Sequence, residues 1–531
     1  MSSQSQVDTD PQASAQQEIQ GGIPDFVRLG AIPVDYAQQV ETDLLEPVIQ
    51  QNGSAGRAGF CRFTLQNKGF LHSHSKLFVG LIPNAANADA FLPPAVGIGS
   101  VIERAVLKVG NQVLNEITDW AQLHAVKSAL VPNEINKERE QYMSGRIMNH
   151  GFRYTANQFD LAPTYGLDNG REYSGAGADL KQLPFARMNG TTAATIRTSP
   201  VYSIDLSDLF PFLKTHQLPL YMIDQPINIE LTWAQPNRDR VCVNANDQAN
   251  LTYDIDSTEL KFCADYIFYG ATDEMDRFAQ ANKDLSFSFV DYRSNVASID
   301  STVPVTVVRN VGMANRMVTR VISVFNRDLI HGETVLNKYA SLGPSVSATG
   351  VVGDVAYNLR YNDRYEYATD IKNTARLFSQ LTDSESVPFV TKGEYAGNDD
   401  AITPSTYEGR EQRAGLSNKF FFIGTRLTGG RVGSKGIEIH LNATDFDTLS
   451  ANVTAGAFVV GKQYKVTATG DTDFTLVGAT SSAVGTIFVA TGVGAGTGTA
   501  GEIIGPTSMR TYCEYLRVAR LRDCVFDIYN A

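Results

Sequence analysis

The sequence predicts an all-β protein made of two tandem β domains with long decorated loops, and three observations carry that reading. Short Pro- and Gly-bounded runs of alternating apolar residues dominate the 531 residues, and helical periodicity is rare. A central stretch from Glu259 to Leu285 reads as strand, turn, short helix and strand. Alternating segments of the first half recur in the same order in the second. A chain of this length exceeds one ordinary core and suits two domains of roughly 200–250 residues.

In the central stretch, Phe262, Ala264, Tyr266 and Phe268 alternate with Lys261, Cys263, Asp265 and Ile267, the period of a strand with one buried face. The chain turns at Gly270. Thr272 is placed as the N-cap of a polar helix, Asp273 and Glu274 suit its positive start, and Phe278 supplies one apolar anchor. LSFSFVDY, from Leu285, opens the next domain. The clearest helix elsewhere is DWAQLHAVKSAL from Asp119, with Trp120, Leu123, Val126 and Leu130 on one face.

This junction resembles that of the major capsid proteins of large eukaryotic DNA viruses, virophages and polinton-like viruses. There a strand ending Asp-Tyr-Ile is followed by an acidic helix ending Arg-Phe-Ala; here the matching residues are Asp265, Tyr266, Ile267, Asp273, Glu274, Arg277, Phe278 and Ala279. LPLYMIDQPINIELTW, Leu218 to Trp233, is similar to a second signature of that family. The family's run of arginines is Met275-Asp276-Arg277 here, and the Met-rich ending of giant-virus members is absent, which favours a polinton-like virus or virophage. The resemblance implies two eight-stranded jelly rolls, residues 25–270 and 285–531, joined by a linker helix within 271–284. It further implies a homotrimeric, pseudo-hexameric capsomer in an icosahedral virion, assembled inside the host cell beside penton and minor capsid proteins.

Three segment pairs support duplication independently. PINIELT from Pro226 matches GIEIHLN from Gly436 at an offset of 210, and SVIERAVLKV from Ser100 matches MVTRVISVFN from Met317 at 217. ELKFCADYIFY from Glu259 matches EYLRVARLRDCVFDI from Glu514 at 255. The last offset is about 40 larger, so an insertion lies between Asn442 and Glu514. Residues 454–503 are the insert: rich in Gly, Thr, Ala and Val, nearly uncharged, with β runs at Ala457–Val460, Tyr464–Ala468 and Thr486–Thr491. It is similar to small β modules that decorate viral structural proteins and is expected to be a dispensable lobe. Gly496, Gly498 and Gly501 fit a GxGxxG spacing, but no helix pattern follows, which argues against a nucleotide site.

Residues 1–24 read as a disordered arm that lacks Lys and Arg, and the chain carries a net charge of −12. Phosphate neutralisation needs cations, so direct nucleic-acid binding by the arm is not expected. No transmembrane run or hydrophobic targeting segment is read. Five scattered cysteines (Cys61, Cys242, Cys263, Cys513, Cys524) without CxxC spacing argue for a reducing compartment and against a zinc site.

The search for chemistry predicts no enzyme, no catalytic or metal residues and no cofactor. His72 and His74 are placed on one side of a strand, a surface pair lacking a third ligand. Asp254/Asp256, Asp445/Asp447 and Asp471/Asp473 read as turn acids rather than calcium ligands. The long stretch Asn149 to Thr198 offers Phe152, Tyr154, Phe159, Tyr165 and Tyr173 as candidate trimer contacts, a mobile surface loop being the plainer reading. Two other classes remain open: a viral spike or fibre protein, and a carbohydrate-binding β-sandwich.

Overall fold

The computed structural model describes residues 38–54, 57–83, 90–91, 96–130, 143–145, 152–155, 158–161, 201–214, 216–235, 243–244, 253–269, 272–299, 307–326, 339, 341, 355–372, 374–385, 421–427, 430–443, 449–460, 462–503, 506 and 508–530. The first half supplies β1 (Gln38–Leu45), β2 (Gly59–Leu65), β3 (Lys76–Pro83), β4 (Ile102–Val109), β5 (Gln112–Thr118), β6 (Val201–Asp205), β7 (Ile227–Trp233) and β8 (Lys261–Tyr269). The second supplies β9 (Asp284–Ser298), β10 (Val307–Asn310), β11 (Met317–Asn326), β12 (Val355–Tyr361), β13 (Arg364–Tyr365), β14 (Phe422–Arg426) and β15 (Glu438–Ala443). Then come β16 (Leu449–Thr454), β17 (Gln463–Ala468), β18 (Ile487–Val489), β19 (Thr499–Ile503), β20 (Ser508–Arg522) and β21 (Val525–Asn530). The longer helices among the described residues are α1 (Trp120–Leu130), α2 (Thr272–Ala281) and α3 (Thr374–Glu385).

The two halves share one strand order. In the first, β1–β8–β3–β6 faces β2–β7–β4–β5; in the second, β9–β20–β11–β14 faces β10–β15–β12–β13. Counted within each half, both read first-eighth-third-sixth and second-seventh-fourth-fifth, all antiparallel. That is jelly-roll connectivity, and the chain is a double jelly roll. Short strands such as Ile49–Gln51 and Phe70–Leu71 widen the first pair of sheets to seven and five strands. Alternation explains the packing. β2 and β7 bury every second residue, so Cys61, Phe63 and Leu65 meet Ile227, Ile229 and Leu231 across adjacent strands.

Two expectations need correcting. Along β8 the alternation slips: Phe262, Ala264 and Tyr266 are buried, but Ile267 and Tyr269 follow them into the core and Phe268 does not. The rings of Tyr269 and Phe278 both pack on Phe70 there, so the end of the strand is covered by α2. Of the three repeat pairs, β7 with β15 and β8 with β20 occupy equivalent places, whereas the Ser100 and Met317 segments do not. β4 is the fourth strand and β11 the third; the partner of β11 is β3, and that of β4 is β12. Alternating apolar residues fix a strand's faces but not its place in a sheet. The jump in offset survives, from 211 between the starts of β7 and β15 to 247 between those of β8 and β20, and the lobe lies between.

The lobe is a four-stranded sheet, β16–β19–β17–β18, with a core of its own in which Phe458, Tyr464, Phe474 and Phe488 stack at centroid distances of 5.0–6.0 Å. Its sheet begins at Leu449, before the composition break at Thr454, because β16 pairs with β19. Ala457–Val460 is not a strand; the Phe458 N–H donates to the Val493 carbonyl at 3.3 Å and the ring turns inward. The expected run Thr486–Thr491 is a strand only over Ile487–Val489. The glycine spacing has a packing cause: a Cβ on Gly498 would sit 2.7 Å from the Thr472 Cβ. Because this core is separate, Phe488→Ala should cost the lobe about 3–5 kcal/mol, enough to unfold so small a unit. Calorimetry should then show the lobe melting early while the rolls keep their own transition.

Candidate functional site at the seam between the rolls

Among the described residues no group of three or more His, Cys, Asp or Glu side chains is placed to hold a metal ion. The most elaborate side-chain chemistry is where the rolls meet. There β5 and α1 of the first roll lie against β9, β20 and β21 of the second. Helix α1 has two duties. Trp120, Leu123 and Val126 face its own roll, with the Trp120 indole N–H donating to the Leu209 carbonyl at 3.1 Å. Gln122, fully buried, instead donates to the Tyr339 carbonyl at 3.0 Å and accepts from the Asn326 amide at 3.0 Å.

Three carboxylates anchor the seam. Asp119, just before α1, adopts φ 54°, a left-handed conformation uncommon for a residue with a side chain. Its carboxylate pairs with Arg510 and accepts from the Tyr512 hydroxyl at 3.2 Å. Glu514 accepts from the Tyr292 hydroxyl at 2.8 Å and the Thr319 hydroxyl at 2.9 Å, and Lys127 of α1 approaches it to 3.7 Å. Asp291, 1% exposed, accepts from Asn115 of β5 (2.9 Å), the Tyr515 hydroxyl (3.0 Å) and Arg517 (3.0 Å). Burial pushes its carboxyl above the usual range, and the Arg517 guanidinium pulls against that.

Aromatic contacts fill the space around these pairs. Phe212 lies 5.4 Å from Phe289, His216 5.5 Å from Phe287, and Phe287 6.0 Å from Phe526. The last strand, β21, is tied to the first roll through Gln112, which accepts from the Ile528 N–H at 3.0 Å, and Gln225, which accepts from the Phe526 N–H at 3.2 Å.

The residues singled out at the sequence level lie elsewhere. Asp265 accepts from the Thr42 hydroxyl at 2.7 Å on the outer face of β1 and β8. Tyr266 is buried under Lys68, 4.8 Å above its ring, and Ile267 is buried beside it. Asp273, Glu274 and Arg277 are on α2, with Arg277 exposed and Phe278 turned into the core. Phe152, Tyr154 and Phe159 belong to a hairpin, Phe152–Thr155 with Gln158–Leu161, in which Tyr154 is opposite Phe159. Tyr165, Tyr173, Cys242, Asp445, Asp447 and the arm at 1–24 lie outside the described residues.

His72 and His74 occupy a turn before β3, not a strand; their rings are 5.1 Å apart and the His74 N–H donates to His72 Nδ1. Burial, then His74, lowers the pKa of His72. Asp254 sits in a strand, whereas Asp256 and Asp473 bond the N–H and hydroxyl of Thr258 and Thr475, ordinary turn chemistry. Burial pushes the Cys513 thiol up to about 12 and raises that of Cys61 too, so both stay protonated and poorly nucleophilic.

No family model matches the sequence, and no curated protein matches it. Solved structures do. The PBCV-1 virus capsid is 12% identical with a TM-score of 0.47, over 94% of this chain and 98% of that one. The mavirus major capsid protein is 11% identical with a TM-score of 0.43, over 99% and 96%. The Sputnik virophage structure is 11% identical with a TM-score of 0.43, over 94% and 90%.

The seam yields a test with a sign. Arg517→Met leaves Asp291 buried without its cation and should destabilise the fold by about 3–5 kcal/mol in denaturant titration. Because the Asp291 carboxyl is raised on folding, the folded chain holds this proton more tightly than the unfolded chain. Its contribution is complete below the ordinary carboxylate value of about 4 and is lost as pH rises through the folded value. Asp291→Asn should remove that decline from the stability–pH curve.

Proposed function

We propose that this chain is a major capsid protein, three copies of which form a pseudo-hexagonal tile of an icosahedral virion shell. The observation that carries the reading is duplication with rigid registration: one strand order occurs twice, and a buried charged seam fixes the two rolls side by side. Six similar bodies then surround a three-fold axis when three chains associate, and such tiles pave a facet. The junction residues Asp265, Tyr266, Ile267, Arg277 and Phe278 add the resemblance described above. On this reading the chain is a structural protein without enzymatic activity, and its partners are further copies together with penton and minor capsid proteins. The aromatics Phe152, Tyr154, Phe159, Tyr165 and Tyr173 remain candidate contacts between chains. The lobe between β15 and β20 is a surface appendage with a separate core, which supports a protruding rather than a load-sharing role.

Sedimentation and negative-stain microscopy of the purified chain test the proposal: the expected species has three chain masses and a hexagonal outline. Rods would favour a fibre, and a monomer with glycan affinity the carbohydrate-binding alternative. Replacing residues 449–503 by a short Gly/Ser linker should leave the trimer intact, since β15 and β20 belong to the roll without it. Loss of folding in that deletion would overturn the assignment of the lobe.

A further inference from the structure

The turn that carries His72 and His74 ties the start of β3 to the strands on either side of it. The His72 N–H donates to the Asp265 carbonyl of β8 at 2.9 Å, and the His72 carbonyl accepts from the Ser75 N–H at 3.1 Å and the Ser75 hydroxyl at 2.8 Å. That hydroxyl oxygen accepts in turn from the Asp265 N–H at 3.0 Å. On the other side, the carbonyls of Ser73 and Ser75 accept from the N–H groups of Ser207 and Leu206 at 3.0 and 2.7 Å, just past the end of β6. Ser73 and Ser75 are buried, so water does not readily replace these bonds.

One further bond of the turn depends on a proton. The His74 N–H donates to His72 Nδ1 at 3.0 Å. This is the outline of an Asx-turn, in which a side-chain acceptor takes the backbone N–H two residues on, with an imidazole nitrogen standing where an Asn or Asp oxygen ordinarily does. A neutral imidazole has one acceptor nitrogen, so the proton of His72 sits on Nε2; an imidazolium has two donors and no acceptor. Charging His72 therefore exchanges a hydrogen bond for two N–H groups aimed at each other.

The surroundings also oppose that charge. His72 is half-buried, and the His74 ring lies 5.1 Å away. Burial first, then His74, lower the His72 pKa, and Asp265 pulls the other way. The other ionisable groups at the turn are Asp205, whose Oδ2 is 3.7 Å from His74 Nδ1, and Lys76, in register with Asp205 and Cys263. Burial raises the Cys263 thiol, which stays neutral in mild acid.

We propose that the 72–75 turn is an acid-released clasp: protonation of His72 breaks its bond to the His74 N–H and frees the start of β3 from β8 and from the chain after β6. The release has a route outward. Leu206 opens the helical turn Leu206–Leu209, and the Leu209 carbonyl holds the Trp120 indole of α1, the helix that meets the second roll. Mild acid thus loosens the first roll beside the seam, and neutral pH closes it. Because folding lowers the His72 pKa, the open turn binds the proton more tightly than the closed one. The clasp is complete above the ordinary imidazole value of about 6.5 and weakens as pH falls from there to the folded value.

Amide hydrogen exchange of the full-length chain, corrected for the intrinsic effect of pH, tests the proposal. Between about pH 7.5 and about pH 5, protection of residues 73–76 and 205–209 should fall, about tenfold for each unit by which folding lowers the His72 pKa. Protection of β2 and β7 should hold. His72→Asn keeps an acceptor for the His74 N–H but does not titrate; it should match the wild type at neutral pH and lose no protection in acid. His74→Gln keeps the backbone donor and should keep the acid response. Wild-type protection that stays flat, or an acid loss that persists in His72→Asn, overturns the clasp. Should His72→Asn fail to fold, exchange at the imidazole Cε1 of the wild type gives the His72 midpoint directly. It must coincide with the midpoint of the protection loss, and separate midpoints overturn the proposal.

Discussion

The fifteen-residue pairing of β9 with β20 is the constraint on which the rest of this molecule depends. β9 is the first strand after the linking helix and β20 nearly the last of the chain, so their union closes the second roll. The same two strands carry Asp291, Glu514 and Arg517, which meet Asn115, Lys127 and the Leu114 carbonyl of the first roll. One ladder thus serves as the wall of one domain and the face of an interface. Coupling the two removes the freedom that separate domains on a linker retain. The buried charges sharpen the effect, since a carboxylate without water is tolerated only where its donors are fixed in place.

Much of this architecture was legible in the sequence. Strand alternation, the central junction and the composition break at the insert depend on local periodicity, which single residues report. The seam was not legible for a reason of the same kind. Asp291 falls in phase with the apolar Leu285, Phe287 and Phe289, and nothing local says that the first roll meets it there or that Arg517 partners it. Lys127 and Gln122 look like the polar side of an amphipathic helix for the same reason. The matching of Ser100 to Met317 failed because strands of the two opposed sheets share one alternating pattern. Helix α3, buried through Leu377 and Leu381, was missed among polar neighbours.

The lobe shows the opposite economy. Its core is four aromatic rings with little charge near them, and its turns are held by Asp471 and Asp473, whose carboxyls the Thr497, Thr475 and Ser482 donors hold below the ordinary range. Local bonds of that kind require no partner from the rolls, which is why a composition break alone could locate the unit to within a few residues.

The wide separation between β9 and β20 also has a consequence during synthesis. The first roll can form as soon as Tyr269 has emerged, but its β5 and α1 surface lacks Arg510, Tyr512, Glu514 and Arg517 until β20 is made. The second roll cannot close before then either, because its first strand waits more than 200 residues for its mate. Ordering such distant pairs is slow, and apolar surface stays open meanwhile. A chain that stops before β20 is therefore exposed at its seam, a target for chaperones and proteases, whereas one in which β20 has paired with β9 is not. Pairing of β20 with β9 is itself the checkpoint that separates chains with a covered seam from the rest.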